Sequence, residues 1–103
     1  MSEPGHAHTT LDELGDGVFL KVRRALGVTA FGVNAMVLPP GTSWFRHTHD
    51  VQDELYFVHH GRAVFEVGEE RFELEAGGLC HVEARTSRWF GNAGDTDLVL
   101  LIV

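Results

Sequence analysis

The sequence predicts an all-β domain, a sandwich or barrel, on three observations. Eight short runs rich in β-branched and aromatic residues follow one another from Val18 to Val103. Gly, Asp or Pro punctuates the gaps between them. At 103 residues and 44% hydrophobic content, the chain has room for one domain with a modest core.

Residues 1–10 are polar and aperiodic, so 1–17 are expected to be a partly disordered N-terminal extension and 18–103 the domain. The stretch LDELGDG, 11–17, fits either one helical turn or an edge segment. From there the predicted strands are VFLKVRRAL (18–26), VTAFGVNAMVL (28–38), ELYFVHH (54–60), AVFEV (63–67), ERFEL (70–74), LCHVE (79–83), RWFGN (88–92) and DLVLLIV (97–103). Pro39-Pro40-Gly41 stops the second strand, because proline donates nothing to a ladder and glycine supplies the turn. Gly68-Glu69-Glu70 is placed at a hairpin tip.

Three side chains able to bind a divalent metal cluster in the centre: His47, His49 and Glu54. Histidines at i and i+2 point the same way only on extended backbone, since strand side chains alternate faces. Glu54 follows at an odd offset, so joint ligation needs a turn, which the polar DVQD of 50–53 can supply. Alternation along 54–60 then puts Glu54, Tyr56, Val58 and His60 on one face, and Leu55, Phe57 and His59 on the other.

Gly41, His47-Thr48-His49, Glu54 and Gly61 match the first conserved motif of the cupin family at every position, and the chain resembles a small single-domain cupin. The resemblance implies a jelly-roll β-barrel with His47, His49 and Glu54 as ligands of one divalent metal ion. The second motif departs from the family pattern. From Gly77 it should bring a proline, a glycine, a histidine and an asparagine, and this chain has Glu83, Arg85, Arg88 and Asn92. Arg88 occupies the place of the fourth ligand, and a guanidinium has no lone pair to give.

A net charge of −7 argues against a nucleic-acid partner. No apolar stretch has the length of a membrane span and no signal peptide is visible, so a cytoplasmic location is expected. The single cysteine, Cys80, excludes an internal disulfide and a multi-thiolate zinc site, and reads as a small buried hydrophobe. Strands 54–60 and 97–103 are apolar on both faces, which predicts a second sheet or a homodimer contact over the outer face.

Arg88 has two readings: an ion pair with an acid such as Glu83, or a clamp on a substrate carboxylate or enolate. His59, His60 and His81 are candidates for a replacement ligand, with a surface or hydrogen-bonded role as the plainer alternative. Tyr56 is expected to line the ligand cavity beside Glu54. Trp44, Phe45, Trp89 and Phe90 either wall an apolar pocket or pack the core. Two imidazoles and a carboxylate suit Fe, Mn, Ni, Cu or Zn.

The leading functional expectation is a metal-dependent enzyme, dioxygenase- or isomerase-like, acting on a small organic acid or enol. The alternative is a non-catalytic module that binds a small, anionic molecule with its metal site vestigial. A purely structural dimerisation domain has no need of His47, His49 and Glu54 together.

Overall fold

The computed structural model describes residues 2–3 and 5–103, with Ser2 and Glu3 described through their backbone alone. Ten strands and one short helix follow in order: β1 Ser2–Glu3, β2 His6–Ala7, β3 Phe19–Leu20, α1 Val22–Leu26, β4 Asn34–Leu38, β5 Glu54–His60, β6 Arg62–Val67, β7 Glu70–Glu75, β8 Leu79–Val82, β9 Arg88–Asn92 and β10 Leu98–Ile102. No helix among the described residues is long and apolar enough to cross a membrane.

Two antiparallel sheets make the domain. The larger has five strands in the order β3-β4-β10-β5-β8, and the smaller has three, β7-β6-β9. The cupin fold expected from the sequence is present, but as two facing sheets and not as a closed barrel. Closure fails because the ladders end at β3 and β8 in one sheet and at β7 and β9 in the other. The segment Thr42 to His47 runs beside β9 through bridges Ser43↔Gly91 and His47↔Arg88 without forming a full strand.

Residues of one parity from both sheets fill the space between them. Met36 and Leu38 of β4, Tyr56 and Val58 of β5, Leu98 and Leu100 of β10 meet Ala63, Phe65 and Phe90 of the smaller sheet, all within 2% exposure. Tyr56, Phe65 and Phe90 pack their rings edge-on or tilted at centroid distances of 5.3 to 5.7 Å, the arrangement that ring quadrupoles favour. The predicted inward face of β5 is therefore correct.

A second cluster lies on the outer side of the larger sheet, where Leu20, Val22, Val33 and Ala35 are buried under Leu11, Leu14 and Leu26. The predicted strand over 18–26 is only partly realised. Its first part gives β3, and 22–26 turns into α1, whose Val22 packs on this outer face. The strand predicted for 28–38 shortens to 34–38. Residues 12–14 adopt a single 3-10 turn, one of the two forms left open for 11–17. Where no regular structure is expected over 1–10, β1 and β2 pair as Ser2↔Ala7 and Glu3↔His6; Met1 and Pro4 lie outside the described residues.

Gly61 shows why the motif's last glycine is required. It turns β5 into β6 with φ of 85°, and a Cβ there would sit 2.6 Å from the Asp97 carbonyl oxygen.

Candidate metal centre

His47 and His49 approach the site on extended backbone held to the second-motif strand. His47 N–H donates to the Arg88 carbonyl at 3.0 Å and Arg88 N–H returns the bond at 3.0 Å, while His49 N–H donates to the Ala84 carbonyl at 2.8 Å. The chain then bends at Asp50 and Val51, so that Glu54 enters as the first residue of β5. Asp53 fixes the end of that turn, with Oδ1 accepting the Ala84 N–H at 3.0 Å and Oδ2 lying 2.8 Å from His81 Nε2. The hydrogen bonds from His81 and Ala84 hold the Asp53 carboxyl below its usual range.

The ligand atoms offered by His47, His49 and Glu54 all lie within 4.8 Å of one another. His47 Nδ1 donates to the Phe45 carbonyl at 3.0 Å, which directs the Nε2 lone pair towards the cluster. His49 Nε2 is buried, and although Glu54 Oε1 is 3.1 Å away, the two are not aligned as a hydrogen bond. An orphaned imidazole nitrogen facing a carboxylate is costly, and a shared cation answers the need of both. The residues present therefore fit a divalent metal.

Glu54 Oε1 is also the meeting point of two donors. Tyr56 Oη donates to it at 2.5 Å and Arg88 Nη1 at 2.8 Å. Burial pushes the Glu54 carboxyl up, but the bonds from Tyr56 and Arg88, with the His49 and Arg88 charges, outweigh it and leave the group below its usual value. Burial and the neighbouring Glu54 carboxylate push the Tyr56 hydroxyl far up, so it stays protonated as a donor.

Arg88 is fully buried. Nε donates to the Thr86 carbonyl at 3.2 Å, and Nη2 reaches the carbonyls of Glu83, Ala84 and Thr86 at 2.6, 3.0 and 3.0 Å. Of its two sequence readings, the ion pair is the one seen, with Glu54 as partner in place of Glu83. The guanidinium lines neither cavity at the site, because the 84–88 turn wraps its donors in backbone carbonyls.

Two cavities meet at the cluster, sharing Asn34, His49, Glu54 and Ile102. One, of about 330 Å³, runs between the sheets past Met36, Trp44, Phe45, Tyr56 and Phe90. The other, of about 390 Å³, opens outward past Phe31, Gln52 and Asp53. Sequence reasoning placed Tyr56 here and gave this pocket as one of two readings of Trp44, Phe45 and Phe90, but missed Phe19 and Met36, which pair across β3-β4, and Asn34, which pairs with Ile102 across β4-β10. Trp89 points away, under the Arg71 guanidinium at 5.8 Å.

The replacement-ligand candidates are elsewhere. His59 and His60 are exposed at the end of β5, His60 Nδ1 lying 3.0 Å from the Asp97 carbonyl, and His81 faces outward against Asp53. Cys80 is partly buried against the core, and burial pushes its thiol up. Asn92 is structural: Nδ2 donates to the Leu38 and Thr96 carbonyls at 2.8 and 2.7 Å.

A family model described as the cupin domain matches residues 34–103. An oxalate-binding protein of Thermotoga maritima is 35% identical over 68 residues, covering 66% of this chain and 56% of that protein. Among solved structures, a cupin protein from Bacteroides fragilis superposes with a TM-score of 0.83 at 21% identity, over 97% of this chain and 83% of that one. A Thermotoga maritima structure described as a predicted oxalate decarboxylase gives 0.69 at 31% identity, over 81% of this chain and 72% of that one. The chain spans 56% and 52% of the lengths of the first two curated relatives it matches.

Proposed function

Because this chain belongs to the cupin family, we propose that it binds one divalent metal ion through His47, His49 and Glu54 and uses it to hold a small anionic organic acid. The observation that carries this reading is the buried, unbonded His49 Nε2 at 3.1 Å from Glu54 Oε1, beside a His47 tautomer set by the Phe45 carbonyl. The oxalate-binding and oxalate decarboxylase-like descriptions of the relatives support an acid as ligand.

The residues divide the work by geometry. The imidazoles of His47 and His49 and the carboxylate of Glu54 hold the ion, and Arg88 and Tyr56 keep that carboxylate ionised and pointed. When bound, a divalent ion supplies a Lewis acid for a carboxylate or enolate oxygen. Tyr56 meets the ligand at the cavity wall, and Arg88 acts on an anion through its charge from behind Glu54. This arrangement serves either tight binding or dioxygenase- or isomerase-like chemistry on an acid or enol.

A metal-free binding module is the second reading, favoured by one observation. Arg88 already satisfies the Glu54 carboxylate from the position where the family places its fourth ligand. Elemental analysis of untagged protein, with titration of Mn, Fe, Ni, Cu and Zn ions, tests the choice. Metal bound by the native chain and lost with His47→Ala and His49→Ala together supports the first reading; no binding above that double variant leaves the second.

We also propose a homodimer through the outer face of the larger sheet, where Leu55 and Leu79 on adjacent strands are 40% and 61% exposed.

A further inference from the structure

We infer that the ligand of this site is a chelating carboxylate of the 2-oxo acid type that carries a flat apolar group, the acid end at the metal and the flat end against Trp44 and Phe45. This rests on the metal reading above and names the class of acid it takes.

The charge balance argues for the acid end. Glu54 carries the one negative charge among the cluster residues, and the fully buried Arg88 at 2.8 Å already counters it. His47 and His49 are neutral when their lone pairs face a metal. A divalent ion there keeps positive charge that no cluster residue cancels, in a half-buried place where uncompensated charge is costly. Asp53, the nearest other acid on the cavity walls, is tied to His81 and the Ala84 N–H. The compensation must come from an anionic ligand, and a carboxylate with a second oxygen beside it is the small anion suited to chelation.

The walls argue for the flat group. Phe19 and Trp44 stack at 6.1 Å with 10° between planes, Trp44 and Phe45 follow at 4.9 Å, and Phe45 reaches His47 at 5.1 Å. This run of rings leads along the cavity wall to a metal-ligand imidazole. Phe45 and Phe19 both line the cavity and are 61% and 40% exposed, so nothing of this chain fully covers either ring. A bare dicarboxylate satisfies the charge but leaves those rings wet. An acid with a planar apolar substituent meets both demands, since rings gain from offset stacking as well as from leaving water.

The test is calorimetric titration of Zn-loaded protein, its zinc content checked by elemental analysis, with pyruvate, oxalate and 3-phenylpyruvate. The expected result is 3-phenylpyruvate binding roughly tenfold tighter than pyruvate and tighter than oxalate, a gain set by burial of the ring. Phe45→Ser, at an exposed position, is expected to remove most of the preference for 3-phenylpyruvate over pyruvate, and Phe45→Tyr to keep it. Oxalate or pyruvate binding as tightly as 3-phenylpyruvate to zinc-loaded protein overturns the inference alone. A chain that retains neither zinc nor any of the other ions titrated above overturns the metal reading and this inference with it.

Discussion

Arg88 and Glu54 face each other across the two sheets at 2.8 Å, the arginine fully buried and the carboxylate one fifth exposed. Their pairing puts a permanent cation behind the acid that would hold a metal. It draws the Glu54 charge inward and fixes the oxygen that it contacts. That oxygen is also the one that faces the imidazoles, 3.1 Å from His49 Nε2 and 3.9 Å from His47 Nε2.

Replacing Arg88 should separate stability from metal affinity. Arg88→Met leaves the Glu54 carboxylate without its ion-pair partner and is expected to cost about 3 kcal/mol in urea unfolding. The same change frees the carboxylate for a metal, so affinity should rise, and Arg88→His should raise it further by adding a ligand. Equal metal affinity in all three proteins would show that Arg88 does not act on the site.

Tyr56→Phe removes one hydrogen bond to Glu54 and little volume, for an expected loss of about 1 kcal/mol. The Glu54 carboxyl is held below its ordinary pKa of 4.5, so its share of stability is present above that pH and is lost as pH falls through the lower folded value. Without the Tyr56 bond the folded value rises and that share shrinks. Acid titration of unfolding should therefore show the variant losing stability at a higher pH than the native chain. Coincident acid transitions would contradict the bond's role.

Gly61→Ala should be among the most damaging substitutions outside the core. The added Cβ meets the Asp97 carbonyl oxygen at 2.6 Å, and the left-handed backbone disfavours any side chain. A loss of roughly 2 kcal/mol or more is expected from that combination. Thermal unfolding within a degree of the native chain would show that the turn relaxes without cost.

Leu55→Lys with Leu79→Lys places charge on the exposed apolar patch of the larger sheet. Sedimentation velocity should show a native dimer and a folded monomeric variant. A native monomer at micromolar concentration removes the proposed interface.

The sequence alone carried the all-β class, and its resemblance to the first cupin motif carried the cupin fold. The cluster follows local rules: alternation places Glu54, Tyr56 and Val58 on one face, and two histidines two apart on extended chain share a side. RWFGN and ELYFVHH became β9 and β5 with the predicted bounds, because aromatic and β-branched runs closed by a glycine or a turn leave little alternative. Residues 18–26 misled, since a short amphipathic run has no period of its own and Val22 found its burial on the outer face of the larger sheet. The partner of Arg88 could not be read either. Its acid is 34 positions away and is chosen by how the sheets face each other. Tertiary structure likewise decided that the sheets stay open, that His81 turns outward, and that Phe19 joins the rings leading to His47. Each depends on register and packing between distant strands, which no local pattern encodes.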